Sequence, residues 1–158
     1  MGGLRGSRED NQESSAGPTI TIVGAVVERE GKYLMVERLK RSRGYFEFPG
    51  GKLEEGESDQ SALVRELKEE LKVDATVRSS EPVAIGQDGP VELKCYLADI
   101  SGDPQAPPDT LSFRWVSSGE LKTLAVPPAD QAVVQSILAK IREGNKRQGS
   151  GSGEAKFA

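Results

Sequence analysis

The sequence predicts an α/β fold in which a mixed β-sheet is sandwiched between α-helices (α/β/α), and three observations predict it. Apolar, β-branched runs bounded by Gly, Pro and Asp recur along the chain, as strands do. Between them, Leu63, Leu67 and Leu71 return every four residues, the period of a helix with one buried stripe. A second helical period, Val133, Val134, Ile137, Leu138 and Ile141, closes the apolar part of the chain.

The elements follow in order. Residues 1–18 and 144–158 are rich in Gly, Ser and charge, with too little apolar surface to offset the entropy of ordering, and read as flexible tails around a domain at 19–143. Thr19–Val27 is a β-branched, mostly apolar strand, Glu30-Gly31 a turn, and Lys32–Val36 the returning strand of a hairpin. Lys40–Gly44 is a basic loop, and Tyr45–Phe48 a short aromatic strand stopped by Pro49-Gly50-Gly51. The central helix starts at Ser58, whose hydroxyl suits an N-cap. Asp59 stands at the positive end of its dipole, and the helix runs to about Lys72. Ala75–Ile85 and Val91–Ile100 are β-rich and joined by a hairpin turn at Gln87-Asp88-Gly89-Pro90. A Pro-rich loop over Gly102–Pro108 leads to a strand at Leu111–Val116, and a terminal helix covers about Ala129–Arg142.

Composition narrows the chemistry. At 158 residues and 35% hydrophobic content the chain fits one core. With 25 acidic against 21 basic side chains, a net charge of −4, it has no global positive field to draw it onto duplex nucleic acid, so no stable nucleic-acid complex is expected. It contains no histidine, which removes Ser-His-Asp and Cys-His triads and the usual zinc sites. Cys95 is the sole cysteine and admits no internal disulfide. No apolar run reaches the roughly 20 residues that span a bilayer, and the first eighteen residues are too polar for a signal peptide. The expectation is a soluble, cytoplasmic monomer or homodimer without a membrane partner.

On the central helix Glu66, Glu69 and Glu70 fall within about a 100° arc, beside the leucine stripe. Like charges at this spacing repel, so they need a cation. Two readings follow: a hard divalent ion taking oxygen ligands, or a solvated acidic face balanced by Lys68 and Lys72. The wider pattern is Gly51-x5-Glu57-x7-Arg65-Glu66-Leu67-x-Glu69-Glu70-x-Lys72-Val73. It resembles the box of the Nudix hydrolase superfamily, G-x5-E-x7-R-E-U-x-E-E-x-G-U with U bulky and apolar. Every defined position matches except the last glycine, where Lys72 stands and is expected to tax stability or shift the helix end. The flanking strands extend the resemblance over about 19–142.

The resemblance implies that Glu66, Glu69, Glu70 and the carbonyl of Gly50 hold Mg²⁺ or Mn²⁺, with Glu70 or its neighbour orienting the attacking water. Arg65 would pair with Glu57 and brace the loop, and Lys52 would touch phosphate; otherwise Lys52 is a solvated lysine. A fourth acid would come from Asp109, which also reads as an ordinary turn residue, with Glu120 a less well-placed alternative. The implied reaction is hydrolysis of a nucleoside diphosphate linked to another group. A Walker A pattern is absent.

The segments Phe46–Lys52 and Val126–Asp130 look like the MutT-like branch, which removes oxidised or unwanted nucleoside triphosphates. There Asp130 would contact the base, unless it only caps the terminal helix. Phe48 would wall the base pocket and Arg38 reach the nucleotide, or the two are a core aromatic and a surface charge. Lys40, Arg41 and Arg43 form either a phosphate-attracting or a merely solvated loop. The expected substrate is a (deoxy)nucleoside triphosphate, normal or oxidised, giving monophosphate and pyrophosphate. The alternatives are an ADP-ribose or nucleotide-sugar pyrophosphatase, a dinucleoside polyphosphate hydrolase, and a non-catalytic nucleotide-binding Nudix module. The last predicts a damaged box, whereas all the box acids are present.

Overall fold

Alternating burial along three strands creates two separate cores, one on each face of the strands. The computed structural model describes residues 19–147. In it the chain runs β1 (Ile20–Val26), β2 (Glu28–Arg29), β3 (Lys32–Arg38), β4 (Phe46–Glu47), β5 (Gly50–Lys52), α1 (Asp59–Leu71), β6 (Asp74–Val77) and β7 (Ala84–Asp88). β8 (Val91–Ser101), β9 (Leu111–Ser117), α2 (Ser118–Leu121) and α3 (Pro128–Arg147) complete it. Val23, Ala25 and Val27, with Leu34, Val36, Tyr96 and Ala98, pack against Leu63, Leu67 and Leu71 of α1. Their chain neighbours Val26, Tyr33, Met35, Leu93, Cys95 and Leu97 pack against Val133, Val134 and Ile137 of α3. Strand side chains alternate between faces, so the two helices lie on opposite sides, as the fold class requires. Each fully buried leucine of α1 contributes roughly 1.5–3 kcal/mol.

The strands divide into two sheets. One has the order β5-β1-β8-β6, with β7 also paired to β8; the other has β2-β3-β4, with β9 on β3. The first sheet is mixed: β1 runs parallel to β8, while β5, β6 and β7 pair antiparallel. A parallel pair needs a long crossover, and the chain between β1 and β8 includes α1.

Two expectations are corrected. The predicted hairpin between Thr19–Val27 and Lys32–Val36 does not form as such, because β3 pairs with Glu28–Arg29 while β1 lies between β5 and β8. Residues 23–26 are buried throughout, which suits the middle of a sheet covered on both faces. The segment Ala75–Ile85 is two strands, interrupted over residues 78–83. Pro82 cannot donate to a ladder, and Ser79 Oγ replaces a backbone partner by accepting from Leu97 N–H at 3.1 Å.

Helix α1 begins where its sequence indicates: Ser58 Oγ accepts from Ser61 N–H at 3.1 Å. Asp59 also receives Lys94 Nζ at 2.8 Å and the Tyr96 hydroxyl, tying the helix start to β8. At the other end Lys72 does not move the boundary. It adopts the left-handed conformation itself, φ 59° and ψ 36°, with its N–H on Lys68 O. Helix α3 starts at Pro128, a favoured first position, and extends to Arg147, past the expected helix end at about Arg142 and into the segment read as a tail. The remainder of the expected tails, 1–18 and 148–158, lies outside the described residues. Among the described residues no helix is long and apolar enough to cross a membrane.

Candidate active site

The acid face of α1 meets the strand β5 at two glycines, each required for a different reason. Gly50 has φ 152°, and a Cβ there would strike the Val23 carbonyl. At Gly51 a Cβ would occupy the place of the Glu66 carboxylate. The Gly-Gly pair therefore lets a carboxylate lie directly on the loop backbone. Glu66 is the most enclosed of the three acids, its side chain 13% exposed against 26% for Glu70 and 60% for Glu69. Burial raises its pKa above the ordinary carboxylate value, and the neighbouring charge of Glu70 raises it further, against Arg65.

Two arginines supply the positive charge. Arg65 grips Glu57 with both ends of its fork, Nε to Oε2 at 2.6 Å and Nη2 to Oε1 at 2.8 Å, the brace the sequence implied. Its Nη1 also reaches Glu66 and Glu69, each at 3.2 Å. The Arg65 bond, aided by the Glu54 N–H, holds the Glu57 pKa down to about 2. Arg38 contacts Glu70 at 3.0 Å, Glu47 at 3.1 Å and the Gly50 carbonyl at 3.0 Å. Burial alone would favour loss of its charge, but Glu70 and then Glu47 outweigh that and raise its pKa. Lys68 and Lys72 do not balance the acid face. Lys68 pairs with Asp74, and Lys72 Nζ donates to the Glu69 backbone carbonyl.

The donor set is all oxygen, one carboxylate is held against a glycine cradle, and the cluster is short of cations, which fits a hard divalent ion. As placed, no three acids among the described residues stand close enough together to close on one. Arg65 bridges Glu66 and Glu69 while Glu70 pairs with Arg38, so an ion would take over contacts that these guanidinium groups now make.

Beside this cluster lies a cavity of about 470 Å³, whose lining includes Phe48, Gly50, Gly51, Lys52, Asp88 and Asp130. Phe48 is 3% exposed and forms its wall. Asp130, in the first turn of α3, is 7% exposed, and its Oδ2 accepts from Phe48 N–H at 3.0 Å. Burial pushes its pKa up to about 7, against the Phe48 N–H, which favours the charged form. Its place is set by Gly86 of β7, where a Cβ would overlap the Ala129 carbonyl. Gly86 thus lets the start of α3 approach the sheet.

Glu57, Arg65, Glu66, Glu69, Glu70 and Gly50 come together, while Phe48, Lys52 and Asp130 line the adjoining cavity. Arg38 lies between, its donors engaged with protein groups. Asp109 is not among the acids that Arg38 and Arg65 bind. It is exposed in a turn closed by the Thr110 and Leu111 N–H groups on Pro107 O, and it lines neither cavity described for this region. Glu120 caps α2 through Ser117 N–H at 2.8 Å. Sequence reasoning missed Glu47, which orients Arg38, and Gly86, which seats Asp130. Neither carries a local signal, because each acts on a residue far along the chain.

The model of the NUDIX domain matches residues 18–137. The chain is 37% identical over 127 residues to the CTP pyrophosphohydrolase of Escherichia coli (strain K12), covering 76% of this chain and 92% of that protein. Among solved structures it is similar to the E. coli ORF135 protein, at 36% identity and a TM-score of 0.69, with 79% of this chain and 92% of that one covered. It is also similar to MutT as described from Aliivibrio salmonicida and Vibrio cholerae, at 28% identity and a TM-score of 0.63, covering 77% and 98%.

Proposed function

The chain belongs to the NUDIX domain family and is a hydrolase of nucleoside diphosphates linked to a further group, and from that premise we propose that it converts nucleoside triphosphates, normal or oxidised, into monophosphate and pyrophosphate. The observation that carries this reading is the adjacency of the acid helix, the Gly50-Gly51 backbone and a cavity ending on a buried carboxyl, Asp130. A relative that acts on CTP supports it.

Glu66, Glu69, Glu70 and the Gly50 carbonyl would hold Mg²⁺ or Mn²⁺. When bound, such an ion neutralises diphosphate oxygens and makes water a better nucleophile. The chain's own residues do the rest. The Arg65–Glu57 fork keeps the loop against α1, so the Gly50 carbonyl and the glutamates stay in register. Lys52, exposed on the cavity's lining, meets phosphate. Phe48 walls the base. Asp130, ionised, accepts from an exocyclic amine such as that of cytosine or guanine; protonated, it also donates.

The test is product identification after incubating the protein with Mg²⁺ and a panel of normal and oxidised nucleoside triphosphates, ADP-ribose and dinucleoside polyphosphates. Monophosphate and pyrophosphate from a triphosphate are expected, and no turnover of any triphosphate would sink the proposal. Glu69→Gln and Glu70→Gln should each lower the rate at saturating Mg²⁺; unchanged rates in both would reduce the cluster to a solvated face. Asp130→Ala should change base preference more than metal dependence.

A further inference from the structure

The two arginines among the acids are held in different ways. Arg65 keeps its main grip on Glu57, through Nε at 2.6 Å and Nη2 at 2.8 Å, and meets Glu66 and Glu69 with Nη1 alone. Arg38 has the opposite arrangement. Its Nη1 donates to Glu70 Oε2 at 3.0 Å, and its Nη2 donates to Glu70 Oε1 at 3.2 Å and to the Gly50 carbonyl at 3.0 Å. One guanidinium thus bridges two of the oxygen donors proposed above for the divalent ion. Its third nitrogen, Nε, donates to Glu47 Oε1 at 3.1 Å, and Ser42 Oγ donates to the other oxygen of that carboxylate at 3.2 Å. Neither Glu47 nor Ser42 is a proposed ligand of the ion.

A cation taken up by Glu70 and the Gly50 carbonyl meets a guanidinium already seated on both, and like charges at contact distance repel. Entry of the ion therefore strips Nη1 and Nη2 of their protein acceptors, while Nε keeps Glu47. The Arg38 side chain is only 15% exposed. Enclosed donors of a charged group are costly when left without acceptors. Arg38, Ser42 and Glu47 all line the nucleotide cavity, beside Phe48 and Gly50. Acceptor oxygens of a bound nucleotide are the partners available there.

We propose that Arg38 is an exchangeable counter-ion: it occupies Glu70 and the Gly50 carbonyl while the metal is absent, is displaced from them by the divalent ion, and turns on Glu47 to meet the nucleotide. Metal and nucleotide then bind with positive coupling, each raising the affinity for the other by the same factor. The inference rests on the metal-dependent reading above and adds an order to it, metal first and nucleotide second.

The test reads binding and not turnover. Mn²⁺ alone is titrated by calorimetry into the wild type and into Arg38→Lys, which keeps the charge but loses the planar fork that spans Glu70 and Gly50. The variant should bind Mn²⁺ about three- to tenfold more tightly, the effect of removing one net hydrogen-bonded competitor. A merely structural arginine would weaken the ion when replaced, and a purely coulombic one would leave the lysine variant at the wild-type affinity. Cytidine monophosphate is then titrated with and without Mg²⁺, and the gain that Mg²⁺ confers should be smaller in Arg38→Lys. In the wild type itself, the side-chain NMR signals of Arg38, identified by their absence from the variant, should show Nη rotation freed by Mg²⁺ and slowed again by the monophosphate. Equal or weaker Mn²⁺ binding in Arg38→Lys, Nη signals unmoved by Mg²⁺, or an equal Mg²⁺ gain in both proteins would each overturn the exchange. Should all three hold while no triphosphate is turned over, the triphosphate reading fails and the exchange stands.

Discussion

Replacing Asp130 by Asn should stabilise the protein at alkaline pH and do so much less at pH 5, which lies about one unit into the window over which the carboxyl loses its proton in the unfolded chain. The carboxyl titrates at 3.8 as a free group and at about 7 in the fold. Between those values the folded state holds a proton that the unfolded chain has lost, so stability falls as pH rises through that window and levels off above it. Each unit is worth about 1.4 kcal/mol. The ionised carboxylate therefore costs the fold on the order of 4 kcal/mol above pH 8, and its 7% exposure leaves little water to screen it. Asparagine keeps an oxygen for the Phe48 N–H and carries no charge. The assay is urea unfolding of wild type and variant at pH 5 and pH 8.5. Stability of the variant relative to wild type should rise by about 2–3 kcal/mol between the two, the two units from pH 5 to the folded pKa, and groups common to both proteins cancel. An equal difference at the two pH values would refute the placement of a buried, reluctantly ionised carboxyl at this site.

Lys72→Gly should raise stability by about 0.5–1 kcal/mol, because left-handed backbone costs a residue with a Cβ roughly 1–2 kcal/mol and glycine's greater unfolded-state freedom returns part of it. A lower unfolding midpoint would show that the Lys72 bond to the Glu69 carbonyl matters more than the backbone. Gly86→Ala should destabilise by about 1–3 kcal/mol through overpacking against Ala129. It should also raise KM for nucleotide, since the first turn of α3 carries Asp130; denaturation and steady-state kinetics both unchanged would count against that seating. Chelation with EDTA should abolish turnover, and Mg²⁺ or Mn²⁺ should restore it; activity that survives chelation would remove the divalent ion from the mechanism.

The acid helix is the part most legible from sequence. The Leu63, Leu67 and Leu71 stripe, the Ser58 cap and the register of Glu66, Glu69 and Glu70 depend only on residues a turn or two apart. The Arg65–Glu57 brace was legible as well, because its two ends are held together by the spacing of the box. The sheet was less so. The run Thr19–Val27 announces a strand, yet nothing within it distinguishes a hairpin partner from a parallel neighbour some seventy residues on, here β8. The gap in Ala75–Ile85 had a visible cause in Pro82, overlooked because the flanking residues are β-rich.

By itself, then, the sequence determined the acid helix, its cap and its buried leucine stripe, since each follows from local period and residue type. Only the tertiary structure decided which cation each carboxylate meets and that Asp130 is buried against Phe48. Those outcomes depend on Arg38, Glu47, Glu70, Gly86 and Asp130 arriving from different elements, and long-range packing, with the low dielectric it creates around a buried carboxyl, leaves no period in the chain to read.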